Sequence, residues 1–218
     1  MRTIFLLLLA PVMVTPLGAE ELVFQDDFKN GLAEGWTWVR EDSQAWRSTA
    51  DGLEIRVLPG NMWGPANNAK NVLVRTAPEP GSDQIEVSVK VENKPTEQYE
   101  QVDLVWYYND SYMVKLGLEQ VDQKLCVVMG REQQDRTRTI AVIPKATPSV
   151  GLRLAVQGDT IQGHYRPDGA TDWVQVGQCD LPENGKPKLS LQVYQGTSKV
   201  ERWAKITEFR VRRVSATK

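Results

Sequence analysis

Two cysteines and one histidine are all that 218 residues provide for thiol or imidazole chemistry. Structural zinc sites need four such ligands at short spacings, so no zinc motif can be assembled here. The sequence has no G-x-S-x-G elbow and no H-E-x-x-H helix, which removes the commonest hydrolase and metallopeptidase arrangements. His164 lies in a strand beside a turn, where a surface or strand-face role fits it better than catalysis. No motif implies a cofactor or a metal. The formal net charge of -2 predicts no electrostatic attraction to nucleic acid or to anionic lipid. No stretch sustains a helical period, and no linker marks a second domain.

Only one long apolar run occurs, at the start. Met1-Arg2, then Ile4 to Val14, then Thr15 to Ala19 have the charged beginning, apolar middle and small-residue exit of a secretory signal peptide. Residues 1–19 are therefore expected to be removed and the mature chain, 20–218, to be secreted or periplasmic as one domain. The run is broken by Pro11 and Pro16 and is short for a bilayer span, which takes about 20 residues. No cysteine follows it to carry a lipid, and no later stretch offers a membrane anchor. Cys126 and Cys179 both fall in the exported part, where a disulfide can persist. The alternative is two buried free thiols packed as small hydrophobes.

What the sequence does contain is alternation. The 41% hydrophobic and 25% charged fractions are those of an ordinary soluble protein. The stretch Tyr99 to Glu119 reads as one β-hairpin turning at Asn109-Asp110-Ser111. That register sets Tyr108 against Tyr112, Trp106 against Val114, Leu104 against Leu116 and Val102 against Leu118, a wholly apolar face. The other face carries Gln101 opposite Glu119, Asp103 opposite Gly117, Val105 opposite Lys115 and Tyr107 opposite Met113. Asp103 and Lys115 are diagonal neighbours, expected to form an exposed ion pair.

The rest of the chain gives about a dozen short strands joined by turns, hence an all-β sandwich or barrel. Strands are expected at 36–41, 53–57, 72–74, 85–91, 124–130, 139–143, 150–156, 160–165, 173–176, 189–194 and 204–211, with the charged Arg131 to Arg138 segment as an irregular loop. Asp26-Asp27 are read as turn-bonding aspartates; a calcium site would need six or more oxygen ligands. Trp63 lies in a loop, residues 58–71, rich in Pro, Gly and Asn. A tryptophan there either folds back on the core or is displayed for binding.

Taken in order, W-x-W-V-R-E at Trp36 to Glu41, D-G-L at Asp51 to Leu53, N-V-L-V-R at Asn71 to Arg75, Y-E-Q at Tyr99 to Gln101, the W-Y-Y-N-D hairpin and the closing F-R-V resemble a known family. It is the concanavalin A-like domain found at the C-terminus of family 43 β-xylosidases and in related stand-alone domains. The resemblance covers essentially the whole mature chain. It implies a jelly-roll sandwich of two antiparallel sheets, one of them concave, with the concave face as the place for a sugar. One departure is Val102-Asp103-Leu104, where the family pattern has a small residue and Gly-Leu.

Enzymes of related architecture offer two comparisons. Jelly-roll glucanases place their carboxylates in an E-x-D-x-E strand, and Glu119-Gln120-Val121-Asp122 has the wrong parity for it. Jelly-roll lyases carry Y-x-K-x-G-x-Y, of which only Lys115 and Gly117 match. Asp103 and Glu119 remain a formal carboxylate pair. The residues fit a non-catalytic carbohydrate-binding surface for a polysaccharide or oligosaccharide, with Trp38, Arg40, Gln101, Asp103, Tyr107, Lys115 and Glu119 as ligand-binding candidates and Trp63 peripheral to them. A structural or protein-interaction domain is the alternative, with Trp38 in the core.

Overall fold

The computed structural model describes residues 19–144, 146–182 and 185–215. The apolar run read as a signal peptide lies outside them, up to Ala19. Fifteen strands form among the described residues, all paired antiparallel, and no helix. In chain order these are β1 (Glu20–Asp26), β2 (Thr37–Val39), β3 (Trp46–Thr49), β4 (Gly52–Arg56), β5 (Val72–Thr76), β6 (Gln84–Glu92), β7 (Gln101–Asn109) and β8 (Tyr112–Val121). There follow β9 (Lys124–Gln133), β10 (Arg136–Pro144), β11 (Ser149–Gln157), β12 (Thr160–Pro167), β13 (Val174–Asp180), β14 (Lys188–Tyr194) and β15 (Trp203–Val214).

Two sheets stack. One runs β13-β12-β11-β6-β15-β4-β3, with β1 pairing the later part of β15; the other runs β10-β9-β8-β7-β14-β5-β2. The core between them follows from alternation. Even positions of β7 and β8 (Val102, Leu104, Trp106, Val114, Leu116, Leu118) face the odd positions of β6 (Ile85, Val87, Val89, Val91) and the even positions of β11. The architecture is the concanavalin A-like sandwich expected, with the hairpin at the middle of the second sheet.

The hairpin register holds from Gln101↔Glu119 to Tyr107↔Met113 and then slips, so that Asn109 rather than Tyr108 faces Tyr112. The loop is thus two residues, Asp110-Ser111, with Asn109 Oδ1 accepting from Ser111 N at 3.0 Å. The Arg131 to Arg138 segment is not an irregular loop. β9 and β10 continue through it to a tight turn at Gln134-Asp135, both left-handed (φ 56° and 57°), the geometry that matches the twist of paired strands. Asp26 is consumed locally: Oδ1 accepts from Phe28 N, and Oδ2 from Ala33 N and Trp36 Nε1, at 2.8–3.1 Å.

Cys126 and Cys179 are free thiols, both buried. Strand parity separates them. Cys126 pairs across from Glu119 on the outer face of the second sheet, whereas Cys179 belongs to the core between the sheets, so a sheet stands between the two sulfurs.

Candidate functional site

The outer face of the β7–β8 sheet is built in rows across neighbouring strands. One row is Tyr194, Gln101, Glu119 and Cys126; the next is Gln192, Asp103, Gly117 and Val128; the third is Ser190, Val105, Lys115, Gly130 and Thr139. Parity therefore puts the hairpin's odd-numbered side chains away from the main core. They do not meet water directly.

Instead the 58–71 loop folds over this face. Met62 is fully buried in a second apolar cluster with Val72, Val74, Val105, Tyr107, Met113 and Tyr194. The loop is fastened at several points. Arg40 donates to Ala69 O at 2.7 Å and to Asp110 Oδ2 at 2.6 Å, while Gly64 N donates to Glu132 Oε2 at 3.1 Å. Within the loop Asn61 and Trp63 exchange two side-chain to backbone bonds. Trp63 lands on Gly130, where a β-carbon would come within 2.5 Å of the indole, and its ring centroid lies 4.9 Å from Lys115 Nζ. The glycine is what lets the indole reach the sheet.

Beneath this roof Lys115 is buried and donates to Gln101 Oε1 and, at 2.9 Å, to Glu119 Oε2. Gln101 Nε2 in turn donates to Tyr99 O at 2.7 Å. The expected exposed pair of Asp103 with Lys115 is not formed. Asp103 is wholly buried over Gly117, beside the Tyr194 hydroxyl. Burial raises its carboxyl to about 6, against the pull of the Lys115 ammonium and helped by the Glu119 charge. Burial likewise lifts Glu132 to about 7, opposed by its bond from Gly64 N. The Tyr194 hydroxyl, buried beside Asp103, is held well above its ordinary value.

A cavity of about 380 Å³ remains between roof and floor. Gln101, Lys115 and Glu119 form its floor with Val128 and Thr139; Asn61, Trp63, Tyr99 and Gln195 form its sides. Glu119 bonds Lys115 through Oε2 and lines the cavity. Tyr99 is 50% exposed at the mouth. This is within the size of small-ligand pockets, about 300–1,000 Å³, and offers aromatic walls with a few polar groups.

Of the residues singled out in the sequence, then, Gln101, Lys115, Glu119 and Trp63 come together. Trp38, Arg40, Asp103 and Tyr107 do not line the cavity. Trp38 points into the core between the sheets, its ring 4.9 Å from that of Trp46, because alternation in β2 gives the outer face to Val39. Arg40 follows the end of that strand in a left-handed conformation (φ 56°), which turns its guanidinium to the loop and Asp110. Tyr107 donates to Asp110 Oδ1 at 2.6 Å below Met62. Tyr99, Thr139, Gln195 and Asn61 were not singled out as ligand candidates. Tyr99 and Gln195 stand just outside strands in left-handed conformations (φ 66° and 62°), and period-two reasoning has no means of placing such residues. His164 lies apart, cross-strand from Arg153 on the first sheet; burial and that guanidinium lower its pKa.

Comparison with known proteins gives a consistent result. The family model described as the β-xylosidase C-terminal concanavalin A-like domain matches residues 25–186. No curated protein matches the sequence significantly. Among solved structures, the GH43 protein BlXynB (K247S mutant) from Bacillus licheniformis superposes with a TM-score of 0.74 at 18% identity, covering 88% of this chain and 39% of that one. A xylan β-1,4-xylosidase from Bacillus halodurans gives 0.73 at 19% identity, over 94% and 40%. The carbohydrate-binding module CBM66 from Bacillus subtilis gives 0.55 at 15%, over 80% and 93%. At these identities the likeness is one of fold. The chain spans about two-fifths of the length of the GH43 proteins and most of the length of the binding module.

Proposed function

Because this chain belongs to the family of β-xylosidase C-terminal concanavalin A-like domains, we propose that it is an exported, non-catalytic glycan-binding domain whose ligand enters the cavity under Trp63. The observation that carries this reading is the buried Gln101–Lys115–Glu119 network at the cavity floor. A charged network beneath an opening has its internal bonds satisfied in advance, and a carboxylate in the cavity lining suits a sugar hydroxyl as donor. Trp63 and Tyr99 supply ring faces for the apolar side of a pyranose, and Thr139 and Gln195 supply further hydrogen-bonding groups. The likeness in fold to a carbohydrate-binding module supports the same reading. The cavity volume suits a terminal sugar unit or a short oligosaccharide rather than a long internal stretch of chain.

The Lys115 ammonium offsets the Glu119 carboxylate it bonds, so the floor is built for uncharged ligands with donor hydroxyls. Retardation in native gels cast with xylan and a panel of other polysaccharides tests the proposal. Mobility shifts that vanish in Tyr99→Ala and Gln195→Ala, both at the rim and away from the core, are the expected result. An absence of retardation across the panel would return the chain to the structural or protein-interaction reading. Sugar release that disappears in Glu119→Gln would make it an enzyme.

A further inference from the structure

We propose a second site, on the opposite side of the molecule, that takes the carboxylate of a uronic acid residue. It is a cleft of about 230 Å³ on the outer face of the first sheet, where the family reading places nothing. In adjacent strands Lys90, Gly151 and Arg166 stand in one row, with Ser88, Arg153 and His164 in the next. The indole of Trp173 lies over Gly151, where a β-carbon would press on it at 3.2 Å. The guanidinium carbons of Arg153 and Arg166 sit 4.7 and 4.8 Å from the indole centroid.

The charges of this cleft do not cancel. Lys90 pairs with Asp168 at 2.8 Å, Arg210 with Glu208 at 3.4 Å, and Arg153 with Glu86 at 3.4 Å. Among the described residues no carboxylate lies within ion-pair distance of Arg166, which faces the cleft beside Trp173. A guanidinium offers a planar two-donor fork that matches a carboxylate, and a flat aromatic neighbour holds it in place. The opposite wall is built with some strain. The β15 register slips between Thr207 and Arg210, and Glu208 adopts a left-handed φ of 55°. That bulge keeps Phe209 in the core while both Glu208 and Arg210 line the cleft. The cleft is too small for a folded partner, and its walls are polar except for the indole, Val89, Pro167 and Ala170. A single sugar ring bearing a carboxylate fits this description, since a neutral sugar would leave the Arg166 charge unanswered.

The test is calorimetric titration of the purified protein with D-glucuronic acid, its methyl ester, glucose and acetate at neutral pH. Saturable binding of glucuronic acid is expected, with the ester and glucose weaker by about tenfold or more, as for loss of a charge-assisted hydrogen bond. Arg166→Gln should produce the same loss with its circular dichroism unchanged, and Glu119→Gln, in the other site, should leave the binding intact. Absence of saturable binding to the wild-type protein, or binding that survives Arg166→Gln, overturns the proposal. Acetate binding as tightly as glucuronic acid would also overturn it, as the site would then recognise a bare anion. Because the two sites lie on opposite sheets, neither result bears on polysaccharide retention through Tyr99 and Gln195.

Discussion

Replacing Asp103 with asparagine should make the protein more stable at neutral pH and leave it nearly unchanged in acid. The carboxyl is wholly buried and its pKa is raised from 3.8 to about 6, chiefly by burial. The folded state thus binds this proton more tightly than the unfolded chain does. Its contribution to stability is complete below pH 3.8 and is lost as pH rises through about 6. Between those limits the loss is on the order of 3 kcal/mol for a group this deeply buried. The asparagine side chain has almost the same shape as the aspartate and no charge to bury. Urea unfolding of both proteins at a series of pH values from about 4 to about 8 measures the difference. The gap in favour of Asp103→Asn should open between about pH 4 and about pH 6 and stay constant above that. Glu132 titrates nearby, at about 7, but is present in both proteins and drops out of the comparison. Two curves that stay parallel across the range would refute the reasoning, since Asp103 would then not be titrating in its buried position.

Three further outcomes follow from the loop and the thiols. Met62→Ala removes a fully buried side chain that anchors the roof, and should cost about 2–5 kcal/mol in denaturant unfolding together with polysaccharide retention. Gly130→Ala has an ordinary backbone to occupy but brings a methyl group within 2.5 Å of the indole; tryptophan emission should shift and glycan retention fall while the unfolding midpoint changes less than in Met62→Ala. Cys126 and Cys179 should react with a thiol reagent only after unfolding, and electrophoresis without reductant should show no internal crosslink. Burial pushes the Cys179 thiol to about 11, which keeps the reactive thiolate scarce at neutral pH.

The hairpin was legible because a period of two with one greasy face leaves a single sensible register, and seven of its pairs, from Gln101↔Glu119 to Tyr107↔Met113, are formed as read. The sandwich followed from the same alternation repeated along the chain. What could not be read was the covering of the outer face. Alternation says which way Asp103 and Lys115 point and is silent on whether water or a loop meets them there. The apparent exposed ion pair was lost for that reason: once buried, Lys115 turned to the longer Glu119 and Gln101 side chains, and Asp103 settled over Gly117. Trp38 and Arg40 were misplaced at a three-residue strand whose end lies in the left-handed region. The Arg131 to Arg138 segment was misread because charge suggested a loop, whereas an edge hairpin can carry charge at its exposed positions, and its one buried carboxylate, Glu132, is met by Gly64 N.

The β7–β8 sheet is covered on both sides, by its companion sheet and by the Met62 loop, so away from the cavity its central strands have no free side toward which a larger residue can lean. Enlarging a core-facing side chain of this hairpin, or Val105, Tyr107 or Met113 under the loop, must displace either the partner sheet or the roof of the cavity. Backbone amides of β7, β8 and β14 should accordingly be the last to exchange with deuterium, and variation between copies of this domain should be tolerated more readily on the outer face of the first sheet.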